Sequence, residues 1–371
     1  MSEVLRILHA GDLHLDSAFS AFLPHAAARR RACQCEAFEA LLEEARALGV
    51  SLVLLAGDCF DTVMPNPDTV RRFFAALEKT GVPVVIAPGN HDFYTKGGFW
   101  DSIPLPPNVY LFNEAQLGYF SFPALGVAVY GYAFTAESMA APPLPREAVA
   151  PDGMTHILLA HSDMTGASAY APLSAGALAA AGFDYAALGH IHKPMPPCRY
   201  GRTLAAYSGF LAGRGFDEPG AGGAQLVSID AGRVSVAPLK SNAPVFLVHE
   251  LDVGGAENGE AVRARVAQEI ATLSPTPDTA LRLCLVGQVA SACIPDKASL
   301  LRLGEGLALF EVKDQTVPLL DTAFLQKDQG LFGAFYRALL PRLQGESEAE
   351  RALAAEALRL GFAALSGREL L

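Results

Sequence analysis

Short apolar runs alternate with amphipathic stretches along the first two thirds of the chain. Residues 4–10, 51–56 and 82–87 are almost uninterruptedly apolar and read as buried strands. Between them, residues 29–48 carry Phe38, Leu41, Leu42, Ala45 and Leu48 at helical spacing and stop at Gly49, and residues 67–79 read as a second helix. This rhythm predicts a parallel α/β core. Further strands are expected at 109–112, 126–132, 157–160, 185–188 and 225–229. Together they imply two sheets flanked by helices, a four-layer α-β-β-α sandwich over residues 1–240.

The pattern breaks at Ser241-Asn242-Ala243-Pro244. Beyond it, strand-like runs at 245–253, 280–286 and 307–312 and a helix at 261–273 predict a smaller α/β unit over 241–320. The remainder, 321–371, reads as helical. Leu331, Phe332, Phe335, Leu339 and Leu343 fall on one face, and Leu353, Ala354, Leu358 and Leu365 continue it.

Length and composition fit a multi-domain globular protein: 371 residues, 51% hydrophobic and 18% charged. Two uncharged stretches, 115–136 and 164–183, are broken by Gly, Pro, Ser and Thr and read as strands and loops, not as membrane spans. The N-terminus lacks the basic and apolar regions of a secretory signal. Six cysteines without a CxxC pair suit a reduced, cytoplasmic protein, with Cys59 a buried spectator thiol. A net charge of −11 argues against nonspecific coating of nucleic acid, yet bound metals and local basic residues can still attract a phosphodiester.

Five polar segments change the picture. In order they are Asp12-Leu13-His14, Gly57-Asp58, Gly89-Asn90-His91-Asp92, His161 and Gly189-His190-Ile191-His192, and four of them directly follow strand-like runs. If the pairs lie at extended strand ends, residues i and i+2 point the same way and aim two ligands at one point. Open α/β sheets gather their sites at such carboxyl ends. Carboxylate, amide and imidazole ligands without thiolate favour Mn²⁺, Fe²⁺ or Zn²⁺. A shared carboxylate can bridge two such ions about 3.5–4 Å apart, a geometry suited to in-line attack on phosphoesters. His9 lies one position off the parity of Asp12 and His14 and reads as packing or as support for a ligand. His25, His156 and His249 match no motif. Asp16 and Asp61 read as loop caps or as supports for ligands, and Asp163 stays open between roles.

The ordered segments DLH, GDCFD, GNHD, LLAHSD and GHIH resemble the calcineurin-like metallophosphoesterases. The resemblance implies that Asp12, His14, Asp58 and His192 hold one metal, and that Asp58, Asn90, His161 and His190 hold the other, with Asp58 bridging. It further implies that His91 is the proton donor to the leaving oxygen and that Asp92 orients its imidazole. Two divalent ions follow, with Mn²⁺ the first choice and Fe²⁺ or Zn²⁺ the alternatives.

Protein phosphatases of this superfamily carry Arg after the second segment and Glu after GNH. Here the residues are Gly57-Asp58-Cys59-Phe60-Asp61-Thr62 and Gly89-Asn90-His91-Asp92. That departure, with Gly131-Tyr132-Ala133-Phe134 and the segment from Tyr207 to Glu218, is similar to the SbcD-type DNA repair nucleases, in their YhaO-like branch. The implied partners are DNA and an SMC-like coiled-coil ATPase docked on the helical C-terminus, with pairing into a homodimer open. The 241–320 unit would cap the site. Lys193 and Arg214 are the first candidates for DNA contacts, ahead of Lys96, Arg199 and Arg202. Two competing functions are a small-molecule phosphodiesterase or phosphatase and a non-catalytic scaffold.

Overall fold

A computed structural model describes residues 4–365 apart from 146, 167, 194, 291, 292 and 320. The final residues of the expected helical segment, 366–371, lie outside the described residues. Two compact units result, Met1–Val245 and Phe246–Leu371.

Among the described residues, the first unit runs β1 (Leu5–Ala10), α1 (Pro24–Ala47), β2 (Leu52–Leu55), α2 (Pro67–Thr80), β3 (Val84–Ile86), α3 (Phe99–Ser102), β4 (Val109–Leu111), β5 (Gly118–Phe122), β6 (Val127–Gly131), β7 (Thr155–His161), α4 (Ala175–Ala181), β8 (Tyr185–Gly189), β9 (Cys198–Tyr200), β10 (Thr203–Tyr207), β11 (Gly223–Asp230) and β12 (Arg233–Lys240). They form two six-stranded sheets, ordered β12-β11-β1-β2-β3-β4 and β5-β6-β7-β8-β10-β9. Strands β1–β4 and β6-β7-β8-β10 run parallel; β11 and β12 at one end of the first sheet, and β5 and β9 at the two edges of the second, pair antiparallel.

Alternation along the strands builds three apolar layers. Ile7, Leu52, Leu54 and Val85 from one sheet meet Val129, Ile157, Leu159 and Ala187 from the other. Their neighbours Leu8, Val53, Leu55 and Val84 face α1 and α2 through Phe38, Leu41, Phe73 and Leu77. On the far side, Leu158, Ala160, Ala186 and Leu188 face Leu178 and Ala181 of α4. This is the expected four-layer α-β-β-α sandwich. Where the sheets meet, His9 is fully buried: its Nε2 donates to the Leu188 carbonyl (3.2 Å) and its Nδ1 accepts from the Tyr185 hydroxyl (2.8 Å). Burial lowers its pKa to about 4, so the ring crosses between the sheets neutral.

Local chemistry explains most boundaries. Asn66 caps α2 by accepting from the Asp68 amide (2.9 Å), Pro67 opens it, and Gly81 ends it at φ 70°. Helix α1 starts at Pro24, five residues before the expected onset, because proline is pre-set for a first turn. It ends before Leu48, which is exposed instead of continuing the apolar face. The uncharged stretch 164–183, expected as strands and loops, contains α4. Its run of small alanines packs as a helix capped by Ser174, whose hydroxyl accepts from the Ala177 amide.

The second unit runs β13 (Phe246–Asp252), α5 (Gly259–Leu273), β14 (Ala280–Val286), β15 (Gln288–Val289), α6 (Lys297–Leu301), β16 (Leu309–Asp314), β17 (Val317–Pro318), α7 (Thr322–Lys327), α8 (Leu331–Leu343) and α9 (Glu348–Leu365). Strands β13-β14-β16 form a parallel sheet whose core includes Leu281, Leu283, Leu285, Val262 and Val266. The helices α7–α9 enclose a small cluster of Leu325, Tyr336, Leu358 and Phe362. Leu331 and Leu353, expected on the apolar face, are 66% and 71% exposed, while Tyr336 and Phe362 take the buried positions.

Candidate metal centre

All seven expected ligands gather in the first unit, at or just beyond the carboxyl ends of β1, β2, β3, β7 and β8. His161 ends β7 in extended backbone, but the paired ligands do not arrive in extended form, contrary to the i, i+2 expectation. Asp12, His14, Asp58 and His190 have φ of 48°, 44°, 49° and 99°, in the left-handed region that non-glycine residues avoid. Each such residue costs on the order of 1–3 kcal/mol. The two leading loops offset this strain by staying paired: the amides of Asp12, His14 and Leu15 donate to the carbonyls of Gly57, Asp58 and Cys59, each at 3.0 Å.

Glycines create the space. Gly57 is at φ 86°, and a Cβ there would lie 2.5 Å from His161 Nδ1. A Cβ on Gly89 would run into the Asp58 carboxylate. Backbone amides aim the carboxylates: His91 N donates to Asp58 Oδ1 (2.9 Å), and His190 N donates to Asp12 Oδ2 (3.0 Å).

The imidazoles are oriented from behind. His14 Nδ1 donates to Asp61 Oδ1 (2.8 Å), His161 Nδ1 to the Ala56 carbonyl (3.0 Å), and His192 Nδ1 to Glu218 Oε1 (2.6 Å). Fixing Nδ1–H in this way leaves the Nε2 lone pair as the inward ligand. The Nε2 atoms of His14 and His192 then face each other at 3.0 Å. His161 Nε2 lies 2.9 Å from Asn90 Oδ1, 3.3 Å from His190 Nδ1 and 3.4 Å from Asp58 Oδ2. Asp58 Oδ2 is also 3.6 Å from His14 Nε2, which puts its carboxylate between the two groups.

This arrangement calls for positive charge. Five carboxylates, of Asp12, Asp58, Asp61, Asp92 and Glu218, cluster with the guanidinium of Arg214 among them. Burial works against a charge on His192, yet its hydrogen bonds to Asp12 and Glu218 raise its pKa to about 10. Burial likewise opposes ionisation of Asp12, but His192 and the neighbouring imidazoles hold it at about 2. Facing imidazole nitrogens, one with its proton affinity raised by the carboxylates around it, and surplus buried carboxylates fit divalent cations. Three groups have ligand atoms mutually within 4.8 Å: Asp12, His14 and His192; His14, Asp58 and His91; Asp12, Asp58 and His161.

The expected role of Asp92 needs correction. Its carboxylate is fully buried and turned away from the His91 ring, accepting from the amides of Gly89 (2.8 Å), Cys59 (2.8 Å) and Phe60 (3.2 Å). Burial and the Asp58 charge raise its pKa to about 7. Asp92 therefore ties the second and third motif loops together. The carboxylate beside His91 is Asp61, with Oδ1 3.3 Å from Nδ1, and this contact raises the His91 pKa above its ordinary value.

The remaining candidates take other roles. Cys59 is buried and belongs to none of the three ligand groups. Asp16 accepts from the Asn66 amide (2.8 Å), and Asp163 accepts from Thr165, so both hold loops. Lys193 is exposed. Arg214, expected to meet DNA, instead pairs with Asp61 and Glu218. Glu218 is the functional-looking residue that spacing alone misses: its segment carries a family resemblance, but the contact with His192 spans 26 residues.

The sequence pattern of the calcineurin-like phosphoesterases matches residues 5–194, about half the chain. The chain belongs to that family. Members of that family are metal-dependent phosphoesterases that use two divalent metals. It is also similar to the uncharacterized metallophosphoesterase YhaO of Bacillus subtilis, 29% identical over 270 residues, covering 70% of this chain and 65% of that protein. A shorter likeness runs to the D component of the nuclease SbcCD of Escherichia coli, 38% identical over 93 residues (24% and 21% of the two chains). Another is to the DNA double-strand break repair protein Mre11 of Methanopyrus kandleri, 31% over 97 residues (25% and 20%). The chain thus matches just under two thirds of YhaO and about a fifth of the other two. No described helix is long and apolar enough to cross a membrane.

Proposed function

We propose that this phosphoesterase is a two-metal DNA nuclease of the SbcD type. The observation that carries the metal-site reading is the facing pair of His14 and His192 Nε2 atoms at 3.0 Å, each with its Nδ1 committed to a carboxylate. Asp12, His14, Asp58 and His192 would hold one ion, and Asp58, Asn90, His161 and His190 the other. Bound there, the ions would supply Lewis acidity that activates water and neutralises charge developing at phosphorus.

The protein's own groups do the rest. His91 lies at the cleft with its side chain 42% exposed, and Asp61 engages its Nδ1, leaving Nε2 to protonate the departing oxygen. A cavity of about 340 Å³ beside it is lined by Asn90, His91, Phe93, Glu137 and Tyr170 among others. Tyr170 lies against the His190 ring at 5.0 Å between centroids. An exposed aromatic beside a phosphoesterase centre suits a nucleotide substrate, whose bases stack on such rings.

The DNA assignment rests on the likeness to the SbcCD nuclease component and to the repair protein Mre11, and with it come a coiled-coil ATPase partner and a cytoplasmic site of action. The α/β part of the second unit would select DNA ends, and its helices would receive the ATPase. Lys193 remains a proposed backbone contact. Metal analysis of the purified protein, combined with Mn²⁺-dependent assays on single- and double-stranded DNA, tests the assignment. Bis-p-nitrophenyl phosphate and phosphomonoesters serve as references. Turnover of DNA and the diester is expected; a preference for monoesters would move the protein to the small-molecule phosphatases, and metal-free inactivity under all conditions to the scaffolds.

A further inference from the structure

Arg214 and Glu218 form a turn of their own, closed by the Glu218 amide donating to the Gly215 carbonyl (3.1 Å). Glu218 is 6% exposed, and both its oxygens are used. Oε1 accepts from His192 Nδ1 (2.6 Å) and Arg214 Nη2 (3.0 Å), and Oε2 accepts from the Arg214 amide (2.8 Å). The other arm of the guanidinium, Nη1, donates to Asp61 Oδ1 (2.9 Å). That same oxygen accepts from His14 Nδ1 (2.8 Å) and lies 3.3 Å from His91 Nδ1. One planar cation thus joins the carboxylate behind His192 to the carboxylate behind His14 and His91.

We propose that Arg214 and Glu218 act as a single positioning clamp that sets the inward nitrogens of His192 and His14 and the placement of His91. This rests on the two-metal reading of the site. Two carboxylates this close repel and would swing toward any nearby cation, so an unclamped Asp61 or Glu218 could itself enter a coordination shell and release its histidine. The fork geometry of arginine holds both in place, which a lysine point charge cannot do. The same geometry argues against Arg214 as a DNA contact: a phosphate would have to displace a carboxylate already paired.

The test needs no DNA for its main readouts. Mn²⁺ affinity is measured by calorimetry, and kcat and KM with bis-p-nitrophenyl phosphate, for the unaltered protein, Arg214→Met, Arg214→Lys, Glu218→Gln and the Arg214→Met/Glu218→Gln double variant. Arg214→Met and Glu218→Gln are each expected to lose roughly 10–100-fold in Mn²⁺ affinity or kcat, with KM for the diester little changed. The double variant is expected to be no worse than the weaker single one, as for residues acting as a unit. Arg214→Lys should recover little. Multiplying losses in the double variant would overturn the clamp. So would Arg214→Met with unaltered metal affinity and kcat and a salt slope of DNA binding lower by about one. If Arg214→Met does not fold, Arg214→Lys decides alone, because full affinity and kcat with lysine would overturn the bridging role. Failure of the unaltered protein to bind Mn²⁺ would strike the two-metal reading itself, whereas unaltered variants of a metal-binding protein strike only the clamp.

Discussion

The strands of the first unit and the loops that leave them are built on opposite terms. Leu52–Leu55 and Ile157–Ala160 are extended and apolar, and their side chains are sealed on both faces of their sheets. Just beyond β2 and β8, Asp58 and His190 sit in left-handed backbone, polar and partly or fully enclosed, with like charges close together. The strands supply packing with little chemistry, and the loops supply chemistry at a cost in strain and desolvation. A site this unfavourable persists because the sheets beneath it over-determine where each loop begins.

Substitutions can separate the two regions. The largest effect is expected for Asp58→Ala, which removes the carboxylate lying between both ligand groups. Bound metal, read by elemental analysis, should fall together with activity, and retention of two ions would contradict its bridging place. Next comes His91→Ala, expected to keep its metals and lose roughly 10²–10⁴-fold in kcat, equivalent to about 3–5 kcal/mol of barrier. Metal loss in step with activity would make His91 a ligand. In the strands, Ile157→Ala should cost about 2–5 kcal/mol in urea unfolding while kcat per folded molecule stays unchanged. A matching fall in kcat would show that the loops sense the strand packing directly. Asp92→Ala lies between the regions, since it strands three enclosed amides, and about 2–5 kcal/mol of stability should go before any change in the His91 step. The smallest effect is Asn66→Ala, a lost helix cap worth about 1 kcal/mol in the same unfolding assay.

This division also explains what could be read from the sequence. Buried parallel strands announce themselves as apolar runs, so β1, β2, β3 and β14 were visible to within a residue or two. Helix α4 was not, because its alanines carry no amphipathic signal. Strand β12, edge-lying with most of its residues exposed or half-exposed, offers no clean alternation either. The candidate ligands stand out because each motif is contiguous. Their supports do not. Asp92 follows His91 in the chain, yet the loop turns the two side chains to different tasks, whereas Asp61 reaches His91 from another strand's loop and Glu218 reaches His192 from beyond β9 and β10. The family resemblance gave the first to the His91 ring, where the fold instead sets it against backbone amides, and only folded geometry reveals the other two.

The pairing of β1 sets a timetable for synthesis. Leu5 lies opposite Ile229 in antiparallel register, so the first strand made waits for one of the last of its unit. His192 likewise waits for Glu218. At ribosomal rates of about 5–20 residues per second, roughly 10–50 s separate the emergence of the first and last of these segments. Throughout that interval the nascent chain carries imidazoles and carboxylates without their partners. On the two-metal reading ion uptake is a late event, and a released fragment ending before residue 218 would be expected to bind Mn²⁺ poorly, whatever motifs it retains.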